Sequence, residues 1–184
     1  MLKPKSFDTV AASLTFEPLA LGGHVCVIKG VEEAKSKAGK DMLKVALDIA
    51  EGDPQAGYYA DKFANDDRDN KKWPCIAYIV TEDKDGNCSR NLASFVTSVE
   101  ESNPGFTWNW DERSVAGKMV GMVFGEEEYT ANDGTIKTRL TLPRIKSVQD
   151  IRDGRYKVPE LKKLPASTAA PAAAANDDDV PFFV

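Results

Sequence analysis

A single histidine, His24, three cysteines, Cys26, Cys75 and Cys88, and the run Glu126, Glu127 and Glu128 are the side chains from which catalysis or metal chemistry would have to be assembled. His24 and Cys26, two residues apart, share one face of a strand and offer two ligands where a zinc site needs at least three. Successive glutamates in a strand alternate between faces, so they form a solvated edge more readily than a cation site. The cysteines are odd in number and lack a C-x-x-C pair, which indicates neither a disulfide framework nor a zinc knuckle. There is no G-x-S-x-G turn and no Walker-type phosphate loop. The expectation is a protein that is not an enzyme and uses no cofactor and no metal. A hydrolase built on Glu126 to Glu128 would require a bound metal or converging carboxylates.

The residue types suited to binding are more plentiful. Lys137 and Arg139 lie two apart, opposite Ile136, Leu140 and Leu142 where the strand is regular, and Arg144 and Lys146 continue with the same two-residue step, which reads as a basic stripe. Lys35, Lys37 and Lys40 at a hairpin tip, Lys44 on the following strand, and Arg68, Lys71 and Lys72 before the next could complete a groove that follows a phosphate backbone. Trp73, beside Lys71 and Lys72, and Tyr78 are the aromatic faces on which bases would stack, at about 1 to 3 kcal/mol per base. Tyr58, Tyr59 and Tyr129 fall in loops or at strand ends. Phe106, Trp108 and Trp110 alternate and share one face, read as a core edge rather than a platform. The net charge of −5 opposes phosphate binding, but Asp177, Asp178 and Asp179 supply three of those charges near the chain end.

These residues must be positioned by a small scaffold. The 184 residues suit one ordinary domain of about 100 to 200 residues. Leu43, Val45, Leu47 and Ile49 alternate with Met42, Lys44, Ala46 and Asp48, the period of a half-buried strand. It pairs with a preceding strand at about 23–31 across a turn containing Gly39. The run 73–80 reads as a third strand limited by Pro74. Residues 91–101 read as a helix, with Leu92, Phe95, Val96 and Val99 at helical spacing, a cap at Ser89 or Asn91, and a stop at Asn103-Pro104-Gly105. Strands at 119–124 and 129–142 follow, the latter carrying the Asp133-Gly134 turn signal. A short helix opens at Ser147. Three strands, a helix and two strands make an all-β domain with one helix. That is the order of the OB-fold, a five-stranded Greek-key barrel whose second and third strands and hairpin loops bind oligonucleotides.

The domain is expected to occupy 1–164. Residues 165–175 are an Ala/Pro linker with no amphipathic period and nothing to bury, and 176–184 form a disordered tail. No apolar run approaches the ~18 residues of a membrane span, and no signal-type segment follows Met1, so the cytoplasm and no membrane contact are expected. The tail places Asp177, Asp178 and Asp179 directly before Val180, Pro181, Phe182, Phe183 and Val184. Pro181 stiffens the peptide, Phe182 and Phe183 supply area for a pocket, and the aspartates would steer it to a basic rim.

This ending resembles the C-terminal tip of bacterial single-stranded-DNA-binding proteins, which finish in Asp-Asp-Asp-Ile-Pro-Phe after a low-complexity linker. The match covers 177–182. In that family the domain holds single-stranded DNA and the tip recruits replication, recombination and repair proteins. The family stops at the phenylalanine matching Phe182, whose terminal carboxylate partners recognise; here Phe183 and Val184 follow. The stretch 125–129 and the Asp133-Gly134 hairpin resemble phage-encoded members. The resemblance implies single-strand binding on the barrel and recruitment by the tail in the bacterial or infected cell. The acidic balance leaves a rival expectation, an OB-fold adaptor of a replisome without DNA affinity.

Overall fold

The computed structural model describes residues 17–141 and 143–165. Among these, the chain forms seven strands and three α-helices, mostly β in content. The order is β1 (Gly22–Lys35), β2 (Asp41–Ile49), α1 (Tyr58–Ala64), β3 (Ile76–Val80), α2 (Arg90–Ser102), β4 (Met119–Phe124), β5 (Glu126–Thr130), β6 (Ile136–Leu140), β7 (Arg144–Lys146) and α3 (Val148–Arg152), with one 3₁₀ turn at Glu112–Val115. Five strands make one curled antiparallel sheet, a half-barrel, in the order β3-β2-β1-β4-β7.

The curl originates in β1. Its first part pairs with β4, from Gly22 opposite Phe124 to Val27 opposite Met119. Its second part pairs with β2, and the register shifts between Ile28 and Gly30. A bulge at this point bends the strand and increases its twist, so one long strand serves two neighbours lying in different directions. The β1–β2 turn closes through the Ser36 N–H to the Lys40 carbonyl at 2.8 Å, with Gly39 at φ 76°. Glycine adopts that left-handed conformation without the Cβ clash other residues suffer.

Leu43, Val45, Leu47 and Ile49 are buried as their alternation predicts. The opposite face of β2 is buried too, which corrects the expectation of a half-buried strand. Lys44 is only 6 % exposed, and Ala46 and Asp48 are equally enclosed. β2 is a central strand between β1 and β3, and α1 packs over its end. The Asp48 carboxylate accepts from the backbone N–H groups of Ile49 at 2.9 Å, Tyr59 at 3.0 Å and Ala60 at 3.3 Å. It thereby caps a helix whose own N-cap, Gly57, has no side chain to offer. Tyr58 and Tyr59 accordingly begin a helix rather than lying in a loop.

β3 starts at Ile76, three residues later than expected. α2 runs one residue further at each end than predicted, and its Ser89 cap is as expected, the hydroxyl accepting from the Leu92 N–H at 3.0 Å. At its other end the Asn103 amide donates to Val99 O at 2.7 Å and Met119 O at 2.8 Å while accepting from Met119 N–H at 3.0 Å. One side chain thus joins the end of α2 to the start of β4. Asn103→Ala removes all three bonds and leaves the Met119 amide in need of a partner; the expected cost is about 2 to 3 kcal/mol, checked by urea unfolding.

The larger correction concerns the end of the sheet. The Asp133-Gly134 turn forms, with Gly134 at φ 79°, but the strands it joins, β5 and β6, pair only with each other. Three consecutive glutamates begin β5, and β6 is open to solvent, with Ile136 65 % exposed. Such residues have no place in a core, so the chain leaves the half-barrel as a separate hairpin. The fifth strand of the main sheet is β7, Arg144–Lys146, paired with β4.

Residues 147–164 then lie across the outside. A Cβ on Gly121 would sit 2.5 Å from Ile151 Cγ1 and 2.5 Å from the Ser147 carbonyl oxygen, so only glycine admits α3 this close. The strap ends on the hairpin: Lys162 N–H donates to Glu126 O at 3.0 Å, and Glu128 N–H donates to Lys162 O at 2.9 Å. Phe95, Phe124, Ile28, Leu47, Ile49, Ile79 and Met122 fill the core of the described residues. No helix among the described residues is long and apolar enough to cross a membrane.

Candidate nucleic-acid interface

The edge strands β3 and β7 stand at opposite ends of the sheet order without hydrogen bonding to each other, and residues of both line one hollow. A seam remains between them. Its middle is a hollow of about 430 Å³ lined by Ala77, Tyr78 and Ile79 of β3, Asn91 and Ser94 of α2, and Pro143, Arg144 and Ile145. Pro143 also lines a second hollow of about 520 Å³, walled by Tyr58 and Lys62 of α1 and by Thr138, Arg139 and Leu140 of β6, with Glu126 also on its wall. In the other direction Ser94 and Ile145 are shared with a shallower depression that includes Lys146 and Asp150. Shared lining residues make the three contiguous.

Tyr78, Arg139, Arg144 and Lys146, expected from sequence, therefore border a common seam. They do so by a different route from the one the spacing implied. The basic stripe from Lys137 to Lys146 is not one strand: Lys137 and Arg139 are on β6, and Arg144 and Lys146 on β7 of the other sheet. Arg139 reaches the seam from the hairpin, its guanidinium 5.3 Å from the Tyr129 ring centre. Its Nε also donates to Glu127 at 2.9 Å, and Lys162 approaches the same carboxylate at 3.4 Å. The Arg139 hydrogen bond, aided by Lys162, holds Glu127 below the usual carboxylate range. A phosphate at Arg139 would compete with this internal anion.

The remaining bases lie elsewhere. Lys37 and Lys40 are exposed at the β1–β2 turn, and Lys35 pairs with Asp41 at 2.7 Å. Lys44 does not project into a groove: it is enclosed on β2, level with Glu32 of β1 and Tyr78 of β3. Lys137 pairs with Asp133 at 3.3 Å. Arg68 pairs with Asp66 at 2.7 Å, and hydrogen bonds from Arg68 draw the Asp66 carboxyl down to about 2. Lys71 lies 4.9 Å over the Phe63 ring, and Lys72 is half-buried.

Trp73, expected as an open stacking face, is half-buried. Its indole Nε1–H donates to the Leu47 carbonyl at 2.7 Å and its ring packs on Phe63 at 5.4 Å. Tyr78, 37 % exposed, is the better placed of the two. Tyr58 and Lys62 were not singled out as binding residues. Their only sequence signal is the i, i+4 spacing that sets Lys62 Nζ 6.0 Å from the Tyr58 ring centre once a helix forms. Of the alternating trio, Phe106 and Trp108 pack against or within the core as expected, but Trp110 is 64 % exposed. The tail candidates Asp177, Asp178, Asp179, Pro181, Phe182 and Phe183 lie outside the described residues.

The groups first considered for chemistry have structural partners. His24 is buried, with Nδ1 3.1 Å from Asp53 Oδ2 and Nε2 2.9 Å from the Ala20 carbonyl. Glu127 holds the two bases named above, and Glu128 accepts from Leu164 N–H at 3.0 Å. No group of three or more His, Cys, Asp or Glu among the described residues could hold a metal ion.

Cys26 and Cys75 are buried and Cys88 is exposed. Burial pushes the Cys75 thiol up to about 12, despite a hydrogen bond with Tyr59 that lowers it, and raises Cys26 well above its ordinary value. Two consequences are expected. Native protein at pH 8 should react with Ellman's reagent at Cys88 alone, and denatured protein at all three. Because the folded pKa is raised, the protonated thiol favours the native state fully below the unfolded value of about 8.5. That stability should decline as pH rises from there toward 12, which melting curves across the range would record.

No protein-family model matches the chain, and none of the curated proteins compared with it is similar in sequence.

Proposed function

We propose that this chain is an OB-type barrel that binds single-stranded DNA along the β3–β7 seam, and that its C-terminal tail recruits other proteins of replication, recombination or repair. The half-barrel order β3-β2-β1-β4-β7, with α2 between β3 and β4, supports the fold assignment. It corresponds to a five-stranded Greek-key barrel, with the β5–β6 hairpin inserted before the last strand. In such domains the loop at this point is one of those that grip oligonucleotides.

The observation that carries the function is the seam itself. It combines two tyrosines, Tyr58 and Tyr78, with Lys62, Arg139, Arg144 and Lys146 along one path. Stacking on tyrosine is sequence-tolerant, since every base has a π-face, and regularly placed bases neutralise the phosphates. The contiguous hollows are open to solvent, which suits a polymer more than an enclosed metabolite. Glu126 and Asp150 also line it, so binding should be moderate in strength and sharply dependent on salt.

Titration with fluorescent oligo(dT) at low salt tests the proposal. Saturable binding that weakens steeply with added salt is expected, and no binding under those conditions would refute it. The adaptor alternative draws support from the carboxylates already facing Lys35, Arg68, Lys137 and Arg139. It predicts no response to oligo(dT), so one titration separates the two.

A further inference from the structure

Trp110 is displayed on the surface by a loop that is itself held in place. The backbone at Trp110 has φ 67°, the one positive value among the described non-glycine residues. For a bulky side chain this conformation is strained and persists only where the surroundings impose it. They do so here. Trp108, just before it, is buried, donates its backbone N–H to Glu100 Oε1 at 2.9 Å and its indole Nε1–H to the Asp111 carbonyl at 2.9 Å. The Ser114 hydroxyl donates to the same carbonyl at 2.6 Å. The Trp110 ring lies on Trp108 at 4.9 Å between centres, and Trp108 meets Phe95 edge-on at 6.1 Å. A line of aromatic rings thus leads from the core to an indole open to solvent.

We propose that Trp110 is the anchor of a protein-docking surface, separate from the seam, for a partner whose contact face combines apolar side chains with a basic rim. Exposed tryptophan held rigidly is the residue type that most often dominates a protein interface, since it offers a large apolar area at little cost in conformational entropy. The charge of the segment that carries Trp110 selects the occupant. Residues 100–118 contain Glu100, Glu101, Asp111 and Glu112 against Arg113 and Lys118, and Lys118 is turned onto the Phe106 ring at 4.6 Å. The excess of carboxylates repels a phosphate backbone. It also disfavours a second copy of this chain, because a two-fold contact would bring the same carboxylates together. A basic surface is attracted on both counts.

The full chain can be titrated with a synthetic amphipathic helix of leucine and lysine, following tryptophan emission, with Trp110→Phe identifying the contribution of Trp110. The expected result is a blue-shifted Trp110 emission, an affinity that falls with salt, and at least a tenfold loss of peptide binding in Trp110→Ala, while oligo(dT) binding is unchanged. Trp110→Gly, which relieves the positive φ, should keep the melting temperature and lose the peptide to the same degree, so that lost binding is not lost folding. Peptide affinity unaffected by either variant, or no peptide binding at all, would overturn the proposal. It would equally be overturned if Trp110→Ala weakened oligo(dT), which makes the residue a base platform, or abolished a concentration-dependent dimer, which makes it a self-contact. Failure of oligo(dT) binding in the wild type bears on the seam alone.

Discussion

Reversing charge at the short strand β7, with Arg144→Glu and Lys146→Glu together, is expected to weaken oligo(dT) binding on the order of 100-fold at low salt. The two side chains border the middle and lower parts of the seam. Each replaces an attraction to phosphate by a repulsion, and about 1 to 1.5 kcal/mol per site multiplies to that factor. A more discriminating signature is the salt dependence. Losing two phosphate contacts to a single strand should reduce the slope of log K against log salt by about 1.4. Tyr78→Ala should behave differently, lowering affinity by about 1 to 3 kcal/mol with little change in slope, because stacking releases no counterions. Neither β7 base forms an ion pair shorter than 4.0 Å within the described residues, so melting temperatures should move little. If the double reversal left both affinity and slope unchanged, the seam would not be the DNA path.

Asp48→Ala should be the most damaging polar substitution in the domain. The carboxylate is buried and satisfies three backbone amides, two of them at the start of α1. Hydrogen bonds to a charged group contribute about 1.5 to 3 kcal/mol each, and amides left buried without a partner add their desolvation cost. Partial relaxation of α1 into water limits the total, so about 3 kcal/mol is expected, or about 10 °C in melting temperature for a domain of this size. Hydrogen exchange at the Tyr59 and Ala60 amides should accelerate before the rest of the sheet opens. Since α1 carries Tyr58 and Lys62 to the seam, oligo(dT) affinity should fall as well, although Asp48 does not itself line that wall. Asp48→Asn keeps one acceptor oxygen and should recover part of both losses. Normal exchange at Tyr59 in Asp48→Ala would show that α1 is held by other means.

How far the site could be read from the chain depends on which neighbours decide each feature. The Ser89 and Ser147 caps, the Asp133-Gly134 turn and the inward residues of β2 are visible because their partners lie within a few positions. Trp73 was misjudged because its indole partner, the Leu47 carbonyl, is 26 residues away. α1 was missed for the same reason, its cap being a carboxylate on another element. Arg139 and Arg144 border one seam by a route the spacing did not show: the two-residue step within each basic pair suggested one strand, whereas Pro143 and the exit of the charged hairpin divide them between two sheets.

The sequence by itself determined the local repertoire: a mostly β chain with a capped helix after its third sheet strand, and a compositional break into an Ala/Pro-rich stretch followed by acidic and apolar residues. Periodicity, capping and turn chemistry act between near neighbours and are written directly in residue order. The tertiary structure alone decided that Lys44 is enclosed, that Trp110 is displayed, and that a seam lies between β3 and β7. The enclosure of Lys44 and the seam follow from the bulge that curls β1 and from pairing between distant segments, and the display of Trp110 from the contacts that bury Trp108 beneath it. Such pairing sets which edges approach and which side chains are covered, and no local pattern encodes it.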